Sequence, residues 1–373
     1  MPVYLAADDI KLVVLPRHCI YICSRNTTVK EKNMTKEYDL LTLGEVMLRL
    51  SPPENERLVR SQILENRVGG AELNVAGGAS LLGLKTGIIT KLPENDLGKY
   101  ARNTIRFSRV SDRYLVYDNS PEARIGIYYF EYGAHPRKPS VIYDRKYSSL
   151  NRIDMEDFPD EMFSSTRCFL TTGITLALGG RVRETTIEMM KRFKEQGVLV
   201  AFDVNFRGNL WTGFQAKECI ESILPMVDIF FCSEDTARLT FLKEGTVENI
   251  MKSFTEEYPI SVVSTTQRIV HSPKVHSFGS RTYNKKEDQF YIEPPYENID
   301  VIDRVGSGDA YIAGFLYGYL TCAGDCQKAV EYGNAAAAVK HSIPGDMAAS
   351  DLEEVNKIIK DHQTTGRRPE MER

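Results

Sequence analysis

From Tyr38 onward, short runs rich in Val, Ile, Leu and Phe alternate with longer stretches of helical periodicity, a rhythm that limits the fold more than any other feature of the chain. Each helix returns the chain to the start of the next strand, so the alternation builds a mostly parallel sheet with helices on both faces, a three-layer α/β fold. The strand candidates are Asp39–Leu43, Thr86–Thr90, Cys168–Thr172, Val198–Asp203, Asp228–Cys232 and Ser261–Thr265. Helical patterns cover Ala71–Leu82, Leu97–Phe107, Arg181–Gln196, Ala216–Leu224 and Val247–Glu257, and Ala310–Leu320 with Gln327–His341 close the chain. The run Val198-Leu199-Val200-Ala201-Phe202 is apolar throughout, as a strand covered on both faces requires.

One region breaks the rhythm. Arg113–Tyr117, Arg124–Glu131 and Val141–Tyr147 are rich in Tyr, Ile and Val, are separated by Pro and Gly turns, and have no helix between them. They read as an antiparallel insert, a small β-sheet lid with strands near 45–68 and 113–147 that excludes water from the open strand ends. An apolar edge or face on that lid is expected to be covered by a second copy, giving a homodimer or larger homo-oligomer. At 373 residues the chain exceeds the usual domain size, which suggests one large domain over 34–360 with an appendage over 1–33 and a tail over 361–373.

Composition excludes several classes of function. A net charge of −4 gives no broad field to attract nucleic acid, so any anionic ligand has to be held locally. No stretch reaches the roughly 20 apolar residues that cross a bilayer, because Leu12–Cys23 is interrupted by Pro16, Arg17 and His18. Asp8 and Asp9 stand where a leader peptide would carry positive charge. Seven cysteines spread along a long chain do not make a disulfide framework, and a cytoplasmic location is expected. The spacings Cys19/Cys23 and Cys322/Cys326 lack a second ligand pair, so no side-chain metal site is expected.

The most specific segment is Asp303-Arg304-Val305-Gly306-Ser307-Gly308-Asp309, which runs into the helical pattern beginning at Ala310. Glycines just before a helix let backbone N–H groups surround an anion, and the helix N-terminus adds partial positive charge. Asp309 would share that cavity and could orient a hydroxyl attacking a phosphate. A bare Gly-x-Gly-Asp equally suits a plain turn and helix cap. A second segment, Gly69-Gly70-Ala71-Glu72-Leu73-Asn74, opens a small-residue helix where backbone approaches a polyol and Asn74 offers both donor and acceptor. Close helix–sheet packing would select the same small residues. A third, Asp203-Val204-Asn205-Phe206-Arg207, follows the clearest buried strand at the edge where open α/β sheets bind ligands. Arg207 could pair with a carboxylate or phosphate there, or close a surface turn.

Taken together, these segments resemble the PfkB, or ribokinase-like, family of carbohydrate kinases across roughly Tyr38 to Lys360. The family's two signature regions correspond to Gly69–Ala79 and Asp303–Gly318. The resemblance implies ATP with Mg2+, Asp309 as general base, and the N–H groups of Gly306, Ser307 and Gly308 as an anion hole. It places Glu45, Gly69, Gly70 and Asn74 at the sugar and Ser233, Thr265, Gly308 and Asn334 at the nucleotide, and it allows K+ at the backbone of Asp303 and Val305. Within the family the likeness is nearest to the 2-keto-3-deoxygluconate kinases, through Gly44-Glu45 followed by Met47-Leu48-Arg49-Leu50, then Gly126–Glu131, Tyr143-Asp144-Arg145 and Asp203–Arg207. In that subgroup the positions matching Tyr128 and Arg207 meet the substrate, a sugar acid. A guanidinium suits an acidic sugar, since a neutral hexose offers it no charge.

The chain also departs from the family. Ser233-Glu234-Asp235-Thr236 stands where many members carry Asn-x-x-Glu near magnesium, Ser307 replaces an alanine, and the nucleotide-side loop Ser264–Arg268 lacks its glycines. A fructokinase-like enzyme and a non-catalytic sugar-binding relative are the alternatives. A hydride-transferring dinucleotide enzyme is set aside, because no Gly-x-Gly-x-x-Gly follows the first strand.

Overall fold

Residues 36–364 are described in the computed structural model, so the appendage expected over residues 1–33 lies outside the described residues. The strands are β1 (Tyr38–Leu43), β2 (Met47–Ser51), β3 (Glu65–Gly69), β4 (Thr86–Pro93), β5 (Leu115–Asp118), β6 (Gly126–Glu131), β7 (Ser140–Asp144), β8 (Thr166–Thr172), β9 (Leu199–Asp203), β10 (Ile229–Phe231), β11 (Val262–Ser272), β12 (Val275–Asn284), β13 (Gln289–Ile292) and β14 (Tyr296–Asp300). The helices are α1 (Ala71–Leu81), α2 (Asp96–Phe107), α3 (Gly173–Ala177), α4 (Gly180–Glu195), α5 (Gly213–Ile223), α6 (Glu234–Leu239), α7 (Val247–Glu257), α8 (Ser307–Thr321), α9 (Cys326–His341) and α10 (Leu352–Gln363).

The large sheet has the order β13-β12-β11-β10-β9-β8-β1-β4-β5, with β14 also paired to β12. Every pairing from β11 across to β5 is parallel, whereas β12 meets β11, β13 and β14 antiparallel. Alternation along the strands explains the layering. Leu41, Leu43, Phe169, Val200, Phe202 and Phe230 turn to one face, where Phe193 of α4, Ile220 of α5 and Phe254 of α7 cover them. Their neighbours Leu40, Leu170, Ala201, Ile229 and Phe231 turn to the other, under Tyr311, Phe315 and Leu316 of α8. Burying each large side chain stabilises the fold by about 1.5–3 kcal/mol, and β9 and β10 carry no polar residue between their ends.

The small sheet has the order β3-β2-β6-β7. It differs from the expected antiparallel insert in two respects. β2 and β6 pair parallel, so the sheet is mixed. The segment expected to begin the insert, Arg113–Tyr117, instead forms β5 at the edge of the large sheet, with Leu115 paired to Thr90 of β4. Leu115 and Tyr117 pack there against the cluster containing Leu92 and Ala101, and that burial decides the sheet to which the strand belongs. Two further boundaries moved. Ser264–Arg268 is not a loop, because β11 continues to Ser272 with β12 as its antiparallel partner. α10 runs through residue 360 to Gln363, held by His362 stacked on Tyr296 at 3.8 Å.

Candidate active site

The chain leaves β1 for β4 on one side and later returns to set β8 on the other, so the strand order reverses beside β1. Open parallel sheets form a crevice at such a point, outside the carboxyl ends of the strands. Gly44-Glu45 after β1, Thr172 of β8 and Asp203 of β9 lie at those ends, and α8 begins opposite them. Its N-cap is Gly306, whose φ of 81° falls in the left-handed region. A Cβ added there would lie 1.8 Å from the Asp346 carbonyl oxygen, so only glycine fits the turn that starts the helix.

Asp309, in the first turn of α8, accepts a hydrogen bond from Asn74 Nδ2 of α1 at 2.7 Å. Asn74 is 4% exposed, and its Oδ1 has no hydrogen-bond partner among the described residues, leaving a buried acceptor beside the carboxylate for a ligand hydroxyl. Burial raises the Asp309 pKa, and Asn74, Arg207 and Lys340 pull it back down. Two more carboxyls share its field. Asp203 is pushed up to about 7, first by burial and then by the Asp309 charge, with the Asn205 amide and Arg207 opposing. Glu72 is raised by burial, although the hydroxyls of Thr175 and Thr172 donate to its Oε1 at 2.6 and 2.7 Å. The crevice therefore concentrates negative charge beside a helix N-terminus.

Arg207 supplies the opposing charge. Its Nη1 donates to the carbonyl oxygens of Phe206 at 3.0 Å and Asn205 at 3.4 Å, and among the described residues no carboxylate forms an ion pair with it. Asn205 carries a φ of 38°, a left-handed conformation that asparagine tolerates better than most side chains. Arg207, Asp203, Ser233, Thr266 and Gly308 line one cavity of about 240 Å³ that reaches the start of α8.

Above the crevice, Arg49 of β2 is fully buried and pairs with Asp303 Oδ2 at 2.8 Å and Asp346 Oδ1 at 2.5 Å. It also donates to Ser51 Oγ at 3.0 Å and the Tyr132 hydroxyl at 2.9 Å, and its guanidinium lies 4.3 Å over the Phe130 ring. Apart from Ser51, these partners lie far from Arg49 in sequence, and nothing in the local pattern signalled the cluster.

Residues 38–352 match the model of the pfkB family carbohydrate kinases. The chain belongs to that family. A protein named 2-dehydro-3-deoxygalactonokinase from Haloferax volcanii is 33% identical over 322 residues, 86% of this chain and 96% of that one. The solved structure of 2-dehydro-3-deoxygluconokinase from Thermotoga maritima matches with a TM-score of 0.81 at 33% identity, covering 87% of this chain and 99% of its own. A sugar kinase from Pyrococcus horikoshii, solved in complex with ATP, shares the fold at a TM-score of 0.71 and 24% identity, covering 87% and 99%.

In this pfkB family kinase several side chains stand elsewhere than their sequence positions suggested. The Tyr128 hydroxyl, on a buried ring, donates to the Asp346 carboxylate and is not among the cavity residues. The Glu45 carboxylate is held by Arg145 and by the Ser148 hydroxyl at 2.5 Å, so its negative charge is already balanced. The Ser307 amide donates to the Arg304 carbonyl at 3.2 Å and so already has a partner within the protein. Thr265 faces away from the cavity, because strand alternation gives the lining positions to Ser264 and Thr266. Asn334 is wholly buried in α9 near the Glu293 carboxyl and is not among the cavity residues. Ser233 caps α6 by accepting from the Thr236 amide, and Glu234 pairs with Arg238 at 2.6 Å. Gly69, the last residue of β3, and Gly70, the N-cap of α1, let the backbone pass close to the Asp346 carboxylate and the Glu45 carbonyl at the edge of the small sheet.

Proposed function

We propose that this carbohydrate kinase transfers the γ-phosphoryl group of MgATP to a primary hydroxyl of a 2-keto-3-deoxy sugar acid, most readily 2-keto-3-deoxygluconate, to give the 6-phosphate. The observation that carries the reading is the Asp309 carboxylate at the start of α8, held by Asn74 and one residue from the Gly308 amide. The acceptor oxygen forms a bond to the γ-phosphorus as the bond to the ADP oxygen breaks, and Asp309 takes the hydroxyl proton late in the transfer. The Gly308 amide and the α8 N-terminus receive the charge on the phosphoryl oxygens. The free acceptor Asn74 Oδ1 fits a second sugar hydroxyl, and Arg207 fits the sugar carboxylate. The names of the Haloferax and Thermotoga relatives point to the same substrate class.

Mg2+ bound to the nucleotide would neutralise the β- and γ-phosphates. Asp203, which lines the cavity in the field of Asp309 and Glu72, is the carboxylate best placed to face it. The five described cysteines are free, in keeping with a reducing, ATP-supplied cytoplasm. β7 leaves Val141 42% and Ile142 57% exposed, and self-association through the small sheet would cover them.

A coupled assay with 2-keto-3-deoxygluconate, 2-keto-3-deoxygalactonate and fructose tests the reading. The keto-deoxy acids are expected to turn over, and Asp309→Asn is expected to lower kcat by about 1,000-fold or more with the fold retained. Turnover confined to fructose overturns the substrate class, and a fully active Asp309→Asn overturns the base.

A further inference from the structure

Lys340, in the last turn of α9, is wholly buried, and its ammonium donates to the carbonyl oxygens of Asp303 at 3.1 Å and Ile343 at 3.0 Å. Backbone oxygens in this place are what a monovalent ion near Asp303 and Val305 would need, and the residues present do not fit one. The Asp303 carbonyl accepts from Lys340. Its Oδ1 accepts from the Val305 amide at 3.0 Å, and its Oδ2 meets Arg49, the Tyr132 hydroxyl and the Gly345 amide. Every oxygen of the residue is committed to a donor of the protein, whereas a hard cation asks for several oxygens of its own.

Charge gives the same answer. The buried cluster holds two cations, Arg49 and Lys340, and two carboxylates, Asp303 and Asp346. Arg67 and Asp309 add one charge of each sign to its field, so the cluster is balanced as it stands, and one more cation would leave an uncompensated charge out of water, which is costly.

We propose that the Lys340 ammonium is the resident cation of the phosphate-binding loop, so that nucleotide binding and turnover are independent of K+. Lys340 acts as a positioning residue. Its bond fixes the Asp303 carbonyl three residues before Gly306, while the His341 carbonyl accepts from the amides of Ile302 at 2.8 Å and Asp303 at 3.1 Å. The last turn of α9 thus clamps the stretch that delivers Gly306, Gly308 and Asp309. Burial presses the Lys340 pKa down to about 8, and the charges of Asp303 and Asp309 hold it from falling further.

The inference rests on the reading that α8 receives the phosphates, and the experiment separates the two. MgATP affinity by calorimetry, together with turnover, is compared in tetramethylammonium chloride and in KCl at equal ionic strength of about 0.1 M. Agreement within about twofold is expected, and a tenfold or larger gain in K+ overturns the Lys340 assignment alone. Absence of MgATP binding in both salts defeats the phosphate site itself, and the assignment with it. Lys340→Met is expected to lose about 100-fold in kcat/KM and to regain a part of it with methylammonium or K+, which a merely structural lysine would not show. Full activity of this variant without added cation overturns the assignment, and if the variant does not fold, the wild-type comparison still decides.

Discussion

Asp309, Asp203 and Glu72 come from three different elements, and each raises the pKa of at least one of the others or has its own raised by them. The arrangement costs stability and prepares the crevice for positive charge or protons. Asp203 gives the clearest test. Its folded-state value of about 7 lies above the ordinary 3.8, so the folded protein holds this proton more tightly than the unfolded chain. Stability associated with it is fully present below about pH 4 and is lost as pH rises through about 7. Asp203→Asn is therefore expected to stabilise the protein by about 1–3 kcal/mol at pH 8 and by much less at pH 4.5, measured by thermal denaturation of both proteins. An equal gain at both pH values would show that charge is not the cause. At this scale, what was legible in the sequence lay within a few consecutive residues. Gly306, Gly308 and Asp309 announce a helix start with a carboxylate in its first turn, and Asn74 sits one turn into the other glycine-opened helix. Arg49 with Asp346, 297 positions apart, and Lys340 with Asp303 could not be read, because only the fold brings them together.

Elements were legible where burial on both faces left a continuous apolar run, as in β9 and β10, and less so where a strand's partner decided its role. β5 has the composition of a small-sheet strand, but its neighbour is β4, and local pattern does not encode the neighbour. β11 read as a strand with a loop after it, because the polar Thr265–Arg268 gives no burial signal while its antiparallel pairing to β12 holds it extended. The start of α8 makes a prediction about an element. Gly306 combines φ 81° with an approach to the Asp346 carbonyl that leaves no room for a methyl group. Gly306→Ala is expected to shift the first turn of α8 and to cost about 1–3 kcal/mol in stability, with a loss of kcat larger than that loss of stability alone explains. Chemical denaturation and steady-state kinetics on one preparation check both halves. An alanine variant with native kinetics would show that the cap does not set the geometry of Asp309.

On the scale of the molecule, the two sheets meet through buried charge. The overall α/β layering followed from the alternation of strands and helices, but the join did not, since Arg49 reads in sequence as one polar residue inside a short apolar strand. It is wholly buried between Asp303, which leads into α8, and Asp346, whose carbonyl closes on Gly306 and whose carboxylate holds Tyr128 of β6. Removing the guanidinium would strand two carboxylates away from water, and the cost of such an unpaired charge exceeds what the intact pair contributes. Arg49→Met is accordingly expected to lower unfolding stability by about 3–5 kcal/mol, with hydrogen exchange rising first in β2 and β6. Arg49→Lys should recover only part of this, because an ammonium lacks the planar fork that reaches both carboxylates, Ser51 and Tyr132 at once. Pairing Arg49→Met with Asp346→Asn should be less harmful than the sum of the two single changes, since the second removes a charge that the first leaves alone. Strict additivity in that cycle would mean that the two sheets are joined by packing, and that Arg49 and Asp346 act independently.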